Sequence, residues 1–209
     1  IYDPEKERSQ KMDIAVHGDE RLIVRVDWEP DSSRVLPQIQ DRIQSRLTLL
    51  ECQPDSGESQ VLIDEKSNSW VNVLGAPIWL RDGSFLWKSE RTGFCHIYHY
   101  RGDGTLIRQI SRGEWAVKSI PRIDEDRGEL WLTGSLARAI ESHLFRIDMG
   151  GELLLQVTSG AGSHRTTISA DGEYVLDRFS SVQNPGEVRL LDRDGLQIHQ
   201  LAEARVTAL

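Results

Sequence analysis

Cysteine is scarce in this sequence: only Cys52 and Cys95 occur among 209 residues. Two thiols cannot build the cross-linked framework of a small secreted domain, and no C-x-x-C pair points to zinc or redox chemistry. Both are expected to sit inside as small hydrophobes. The chain has no run of Lys or Arg, and its formal charge is −8. That balance argues against a nucleic-acid or anionic-membrane surface. No apolar stretch approaches the ~20 residues of a membrane-spanning helix. The opening residues, Ile1 to Lys6, have neither basic nor apolar leader character. Ile1 is therefore expected to be a mature terminus or a cut inside a longer chain.

Long helical periodicity is also missing. A helix over Val35–Leu50 is opposed by Pro37, and Ser45–Leu50 reads better as a strand because apolar residues fall at every second position. What the sequence does have is 17 glycines and short apolar runs cut by turn residues.

Laid beneath one another, these segments repeat at a period of about 45 residues, which suggests propeller blades. The clearest unit runs from Trp79-Leu80-Arg81-Asp82-Gly83 through Phe85-Leu86-Trp87 and His96-Ile97-Tyr98-His99-Tyr100 to Asp103-Gly104 and Leu106–Ile110. The next carries Leu130-Trp131-Leu132, His143–Ile147, Gly150-Gly151 and Leu153–Val157. The last carries Asp171-Gly172, Tyr174–Leu176, Val188–Leu191, Asp194-Gly195 and Leu196–Leu201. A looser first unit holds Trp28–Asp31, Leu47–Leu50, Pro54–Gly57 and Val61–Ile63. An inner strand is expected ahead of each first turn, at Leu22–Val26, Ala76–Leu80, Val117–Ile123 and Arg165–Ser169. The expected fold is all-β, a fragment of about four four-stranded antiparallel propeller blades, near residues 20–65, 66–112, 113–159 and 160–203.

Turn chemistry explains the recurrence. Tight hairpins require positive φ at central positions, which Asp-Gly and Gly-Gly supply without a Cβ clash. A β-sandwich would also show short strands and turns, but it need not repeat its turn chemistry at one period.

The stretch Phe85-Leu86-Trp87-Lys88-Ser89-Glu90-Arg91-Thr92-Gly93-Phe94-Cys95-His96-Ile97-Tyr98 resembles the F-L-W-x-S-E-R-x-G-x-x-H-L-Y pattern of dipeptidyl peptidase IV-type propellers. Other pieces follow in the family's order. Trp28-Glu29-Pro30-Asp31 is similar to W-S-P-D, Arg42–Leu47 to N-R-D-Q-N with substitutions, and Gly113–Val117 to G-x-W-x-V. Gly162-Ser163-His164, Ser169–Gly172 and Asp177–Ser181 with Pro185 fit the last blade. The resemblance spans about residues 20 to 202. It implies the later half of an eight-bladed propeller that precedes an α/β-hydrolase domain with Ser, Asp and His. Such enzymes release dipeptides from peptide N-termini, usually after proline or alanine.

The sequence holds no G-x-S-x-G elbow, which hydrolases of that kind need to expose the nucleophile. Gly83-Ser84, Gly134-Ser135 and Gly162-Ser163 each lack the flanking glycine. No catalytic residue is therefore assigned. The family's Glu-Glu pair, which grips the substrate amine, is also absent and is expected upstream in an earlier blade. The resemblance places Asn72, Val73, Leu74 and Gly75 in a loop that lines an outer substrate pocket in the family; the competing reading is an inter-blade linker. It makes Trp87, Ser89, Glu90, Arg91, Gly93, His96, Tyr98, Trp115, His164 and Asp177 structural motif residues, with Ser89-Glu90-Arg91 a charged corner between strands and His96 a brace.

No metal or other cofactor is expected. His96 and His99 point to opposite faces of a strand, and His143, His164 and His199 fall in separate units. Trp70, Trp79, Trp87, Trp115 and Trp131 are assigned to core packing rather than to a carbohydrate platform.

The function expected is that of a non-catalytic propeller in a dipeptidyl peptidase IV-like serine exopeptidase. Its partners would be peptide substrates and the hydrolase domain of the same parent chain. The alternative is a stand-alone propeller that binds a protein or ligand. A propeller glycosidase would need paired carboxylates on the inner strands, which the units do not place consistently. Half a ring exposes its end blades, so the fragment is expected to be either a homo-oligomer or a less stable monomer. Nothing in the sequence fixes a compartment, although relatives are commonly periplasmic or secreted.

Overall fold

The computed structural model describes residues 1–3, 5, 7–135 and 140–204. A hairpin of β1 (Tyr2–Asp3) and β2 (Arg8–Ser9) opens the chain. Four antiparallel sheets follow, each with its strands adjacent in chain order. The first contains β3 (Arg21–Trp28), β4 (Val35–Asp41), β5 (Arg46–Cys52) and β6 (Ser59–Lys66). The second contains β7 (Ile78–Trp79), β8 (Phe85–Ser89), β9 (His96–Tyr100) and β10 (Leu106–Gln109). The third is β11 (Ala116–Asp124), β12 (Glu129–Ser135), β13 (His143–Asp148) and β14 (Leu154–Gln156). The fourth is β15 (Ser163–Ile168), β16 (Tyr174–Ser180), β17 (Glu187–Asp192) and β18 (Gln197–Glu203). Such four-stranded meanders are propeller blades, and the fold is an all-β propeller fragment. No helix occurs among the described residues.

The chain forms two compact units. One comprises Ile1–Gly93 with Tyr98–Arg108, and the other Phe94–Ile97 with the chain from Gln109 onward. In the first unit Leu36, Leu47, Leu49, Leu62 and Ile63 pack against Phe85, Trp87, Tyr98 and Tyr100. Phe85 and Tyr100 stack with centroids 5.4 Å apart. Strand alternation turns Val35, Ile39, Leu50 and Cys52 to the opposite face, where Met12, Ile14 and Val16 cover them. In the second unit Trp131, Leu144 and Val157 meet Val175 and Leu191. Burying each such side chain contributes roughly 1.5–3 kcal/mol, so sheet-on-sheet contact carries the fold.

Strand β4 departs from the sequence reading, which assigned no strand at Val35–Asp41. Its residues 35–40 are all buried, so it shows no alternation of polar and apolar positions. Pro37 is tolerated because it faces Val26 on one side, while the β4–β5 ladder steps from Val35–Cys52 to Gln38–Leu49 past the missing N–H. Cys52 and Cys95 are both buried, and burial pushes the Cys52 thiol up to about 11.

Candidate functional site

The segment from Ser67 to Pro77 links β6 to β7 without joining either ladder. Two buried glutamines of β4 hold it. Gln40 donates Nε2 to the Val71 carbonyl at 2.6 Å, and Gln38 donates to the Gly75 carbonyl at 2.8 Å. Polar side chains survive in this strand because they answer carbonyls the linker would otherwise bury unpaired.

Against this linker stands the corner after β8. Ser89 is fully buried, and its Oγ accepts from Arg91 N and Nε at 3.2 and 3.0 Å. The Gly93 amide closes the turn on the Glu90 carbonyl, with φ +96° at Gly93. Arg91 donates to Glu65 at 2.7 Å and lies over the Tyr98 ring, 4.4 Å from its centroid. Burial disfavours the Arg91 cation, but Glu65 and Tyr100 outweigh it, and the guanidinium pKa stands above its ordinary value. Burial raises the Tyr100 hydroxyl as well, against the pull of Arg91. Trp87 donates Nε1 to the same Glu65 oxygen at 2.7 Å. Tyr98 OH meets Thr92 Oγ1 at 3.2 Å.

Linker and corner enclose a cavity of about 630 Å³ whose walls include Asp41, Glu65, Trp70, Asn72, Glu90 and Arg91. Asn72 donates Nδ2 to Glu90 Oε2 at 2.6 Å, which joins the outer-pocket segment to the charged corner. Gly75 is tied to Gln38, Val73 is 38% exposed and Leu74 half-buried; none of these three lines the cavity. Arg46, Lys66 and Arg91 line the cavity beside the three carboxylates, and Glu65 is buried against Arg91. The exposed Glu90 carboxylate, on the same cavity as the exposed Trp70 indole, suits a cationic group carried on an apolar body.

Trp70 corrects the assignment of the tryptophans to the core, since it is 64% exposed at the cavity while Trp87, Trp115 and Trp131 are buried. Sequence reasoning also missed Glu65, Asp41, Gln38 and Gln40. Arg91 was the available signal for Glu65, because a half-buried guanidinium requires an acidic partner.

The remaining motif residues belong to the second unit and form an aromatic and imidazole ladder. His96 meets Trp115 edge-on at 5.9 Å, and Trp115 leans on Phe145 at 5.3 Å. Trp115 donates to the Arg112 carbonyl at 2.8 Å. His164 packs on His143 at 4.7 Å, places Nδ1 2.9 Å from Asp177 and Nε2 3.0 Å from the Gly160 carbonyl. Asp177 is fully buried and also faces Arg189 at 3.7 Å. Among the described residues, no three His, Cys, Asp or Glu side chains come together in a metal-binding arrangement.

A family model described as the dipeptidyl peptidase IV N-terminal region matches residues 1–186. Human dipeptidyl peptidase 8 is 25% identical over 241 aligned residues, which cover 89% of this chain and 27% of that protein. Dipeptidyl peptidase 4 of Trichophyton equinum is 22% identical over 152 residues, 69% of this chain and 20% of the relative. The chain thus spans about a quarter of the length of these relatives. Among solved structures, Porphyromonas gingivalis dipeptidyl peptidase 4 superposes with a TM-score of 0.81 at 20% identity, covering 97% of this chain and 29% of that one. A dipeptidyl aminopeptidase IV structure from Bacteroides ovatus gives 0.80 at 21% identity, covering 98% and 32%. At such identity the superpositions speak for the fold alone.

Proposed function

Since the chain belongs to the dipeptidyl peptidase IV N-terminal region family, we propose that it is the non-catalytic propeller portion of a dipeptidyl peptidase IV-like serine exopeptidase. In this reading it shapes the approach of peptide N-termini to a Ser-Asp-His site in a hydrolase domain of the same parent polypeptide. One observation carries the proposal: Asn72, from the segment that resembles the family's outer substrate pocket, meets the exposed Glu90 carboxylate at a cavity that Trp70 also lines. A peptide N-terminus is an ammonium beside apolar side chains, and a carboxylate with a neighbouring indole recognises both parts. Asn72 would position the carboxylate, while Val73, Leu74 and Gly75 would set how closely the linker approaches the peptide.

The test uses the full parent polypeptide, with release of dipeptidyl nitroanilides as the assay. Asn72→Ala and Glu90→Gln are expected to raise KM by about 3–30-fold with kcat little changed, the mark of lost uniform binding. Dipeptide release with unaltered KM in both variants would remove the cavity from the substrate path. A parent without dipeptide release would overturn the peptidase reading itself.

A further inference from the structure

Twice on one face of the fourth sheet, like stands opposite like. The register of β15 and β16 sets Ser163 against Ser180 and Arg165 against Arg178. All four side chains belong to exposed residues. Strand alternation turns His164, Asp177 and Phe179, which lie between them in sequence, to the opposite and buried face. Directly opposed side chains start about 5 Å apart, and two positions along a strand add about 7 Å. Two guanidiniums and two hydroxyls therefore leave the sheet close enough together to surround one oxyanion. All four residues line a single cavity of about 550 Å³.

Cations placed directly opposite each other on a sheet repel. Among the described residues, neither Arg165 nor Arg178 makes a side-chain hydrogen bond or ion pair. Other arginines of this unit do meet acids: Arg122 meets Asp124, Arg146 meets Asp194, Arg189 meets Asp177 and Arg193 meets Glu129. The chain carries 33 acidic residues against 25 basic ones, so carboxylates are not scarce.

Two glutamates line the same cavity, but they stand in another row. Glu187 and Glu203 are paired across β17 and β18, level with Phe179. Glu187 is already held by Arg189 at 3.4 Å and by the side-chain amides of Asn184 and Gln200 at 3.3 Å. The row of the arginines continues instead through Val188 and Ala202, and it contains no carboxylate. A guanidinium offers its N–H groups in a fixed fork that fits the oxygens of a carboxylate or a phosphate. The serine hydroxyls add two donors beside that fork.

We propose that Arg165 and Arg178, assisted by Ser163 and Ser180, bind the oxyanion group of a soluble ligand, a carboxylate or a phosphate. The bound anion cancels the repulsion between the arginines, and the hydroxyls complete its shell. This site uses only residues of the fourth sheet and is independent of the peptidase reading.

The experiment titrates the 209-residue protein with inorganic phosphate and with succinate, by calorimetry at an ionic strength held constant with chloride. The arginine Nε–Hε resonances, followed by NMR in the unaltered protein, supply a readout that needs no substitution. Saturable binding is expected, with two Hε resonances moving on the calorimetric isotherm. Tighter binding of phosphate would identify a phosphorylated ligand, and tighter binding of succinate a carboxylate one. Arg165→Gln and Arg178→Gln should each weaken binding about tenfold or more. Arg108→Gln, at an exposed arginine of the second sheet, should leave it unchanged. Without the anion, both site variants should unfold no earlier than the unaltered protein, because the repulsion is gone; with it, only the unaltered protein should gain stability. If a variant does not fold, the resonances of the unaltered protein decide. No saturation by about 20 mM of either anion would overturn the proposal. Shifts that chloride alone reproduces would do so too. Binding by the 209-residue chain that disappears in a longer parent polypeptide would also refute it, and would give the arginines to an acidic segment of that parent.

Discussion

Arg91 donates through Nη2 to Glu65 Oε1 at 2.7 Å, on the same carboxylate oxygen that accepts the Trp87 indole N–H. The charged corner after β8 is thus organised by an acid on the last strand of the sheet before. The corner fixes Glu90, Glu90 accepts from Asn72, and the linker carrying Asn72 hangs on Gln38 and Gln40. Packing between sheets and the shape of the cavity are one arrangement.

Replacing Glu65 with Gln keeps an acceptor for Trp87 but removes the charge that answers Arg91. The Glu65 side chain is 7% exposed and that of Arg91 31%, so solvent compensates little. The expected loss is roughly 2–3 kcal/mol, below that for a fully buried pair because Arg91 keeps some water. Urea denaturation of both proteins measures it. Loss below about 0.5 kcal/mol would show that the pair orients the corner without holding it.

Gln38 and Gln40 should respond differently to methionine. Gln40→Met strips the Val71 carbonyl of its partner and is expected to cost about 1–2 kcal/mol. Gln38→Met strips the Gly75 carbonyl, but it also removes Gln38 Oε1, which is buried without a donor. Its cost should be smaller by about 1 kcal/mol. Denaturant midpoints that reverse this order would mean that the orphan oxygen is better solvated than its burial indicates.

Much of this arrangement was legible in the sequence. Asp82-Gly83, Asp103-Gly104, Asp171-Gly172 and Asp194-Gly195 announce tight turns, and each glycine has positive φ. Strand β4 was not legible, because a strand buried on both faces has no period-two signal and its glutamines look exposed until the linker is seen. Nor was the β1–β2 hairpin, whose strands are only two residues each. Glu65 lies 26 residues from Arg91, and only the sheet-to-sheet contact brings them together. Local chemistry marks turns; pairing across sheets must be seen in three dimensions.

Two turn glycines separate backbone strain from collision. Gly93 has φ +96° with no atom within 4 Å of a Cβ, whereas Gly104 has φ +84° and the Leu62 carbonyl 2.3 Å away. Gly93→Ala should cost only the left-handed strain, about 1–2 kcal/mol. Gly104→Ala adds a clash with backbone and should cost at least about 2 kcal/mol more, or fail to fold. Equal thermal shifts for the two variants would mean that the turn withdraws from Leu62 at little expense.

The pH dependence of stability should follow His96. Its Nε2 donates to the Gly113 carbonyl at 3.0 Å, and Nδ1 faces Ser111 Oγ at 3.1 Å. With the ring hydrogen on Nε2, Nδ1 is the acceptor, and the Ser111 hydroxyl donates to it while its Oγ accepts from the Ile97 amide at 3.0 Å. A proton on Nδ1 would confront that donor in a dry site. Burial therefore holds the His96 pKa below its ordinary value, with Gly113 opposing more weakly. The unfolded chain binds a proton near pH ~6.5 that the folded one refuses until lower pH. Stability should thus be full above that value and fall as pH drops from about 6.5 toward the folded pKa. Burial lowers His17 and His99 in the same direction, while carboxylates with depressed values, such as Asp64, act only below about pH 4. Urea denaturation between about pH 8 and 5.5 isolates the histidine window. His96→Gln should be less stable at pH 8 and show a shallower decline than the parent protein. A parent protein that gains stability on acidification through this range would mean that His96 takes up its proton in the folded state.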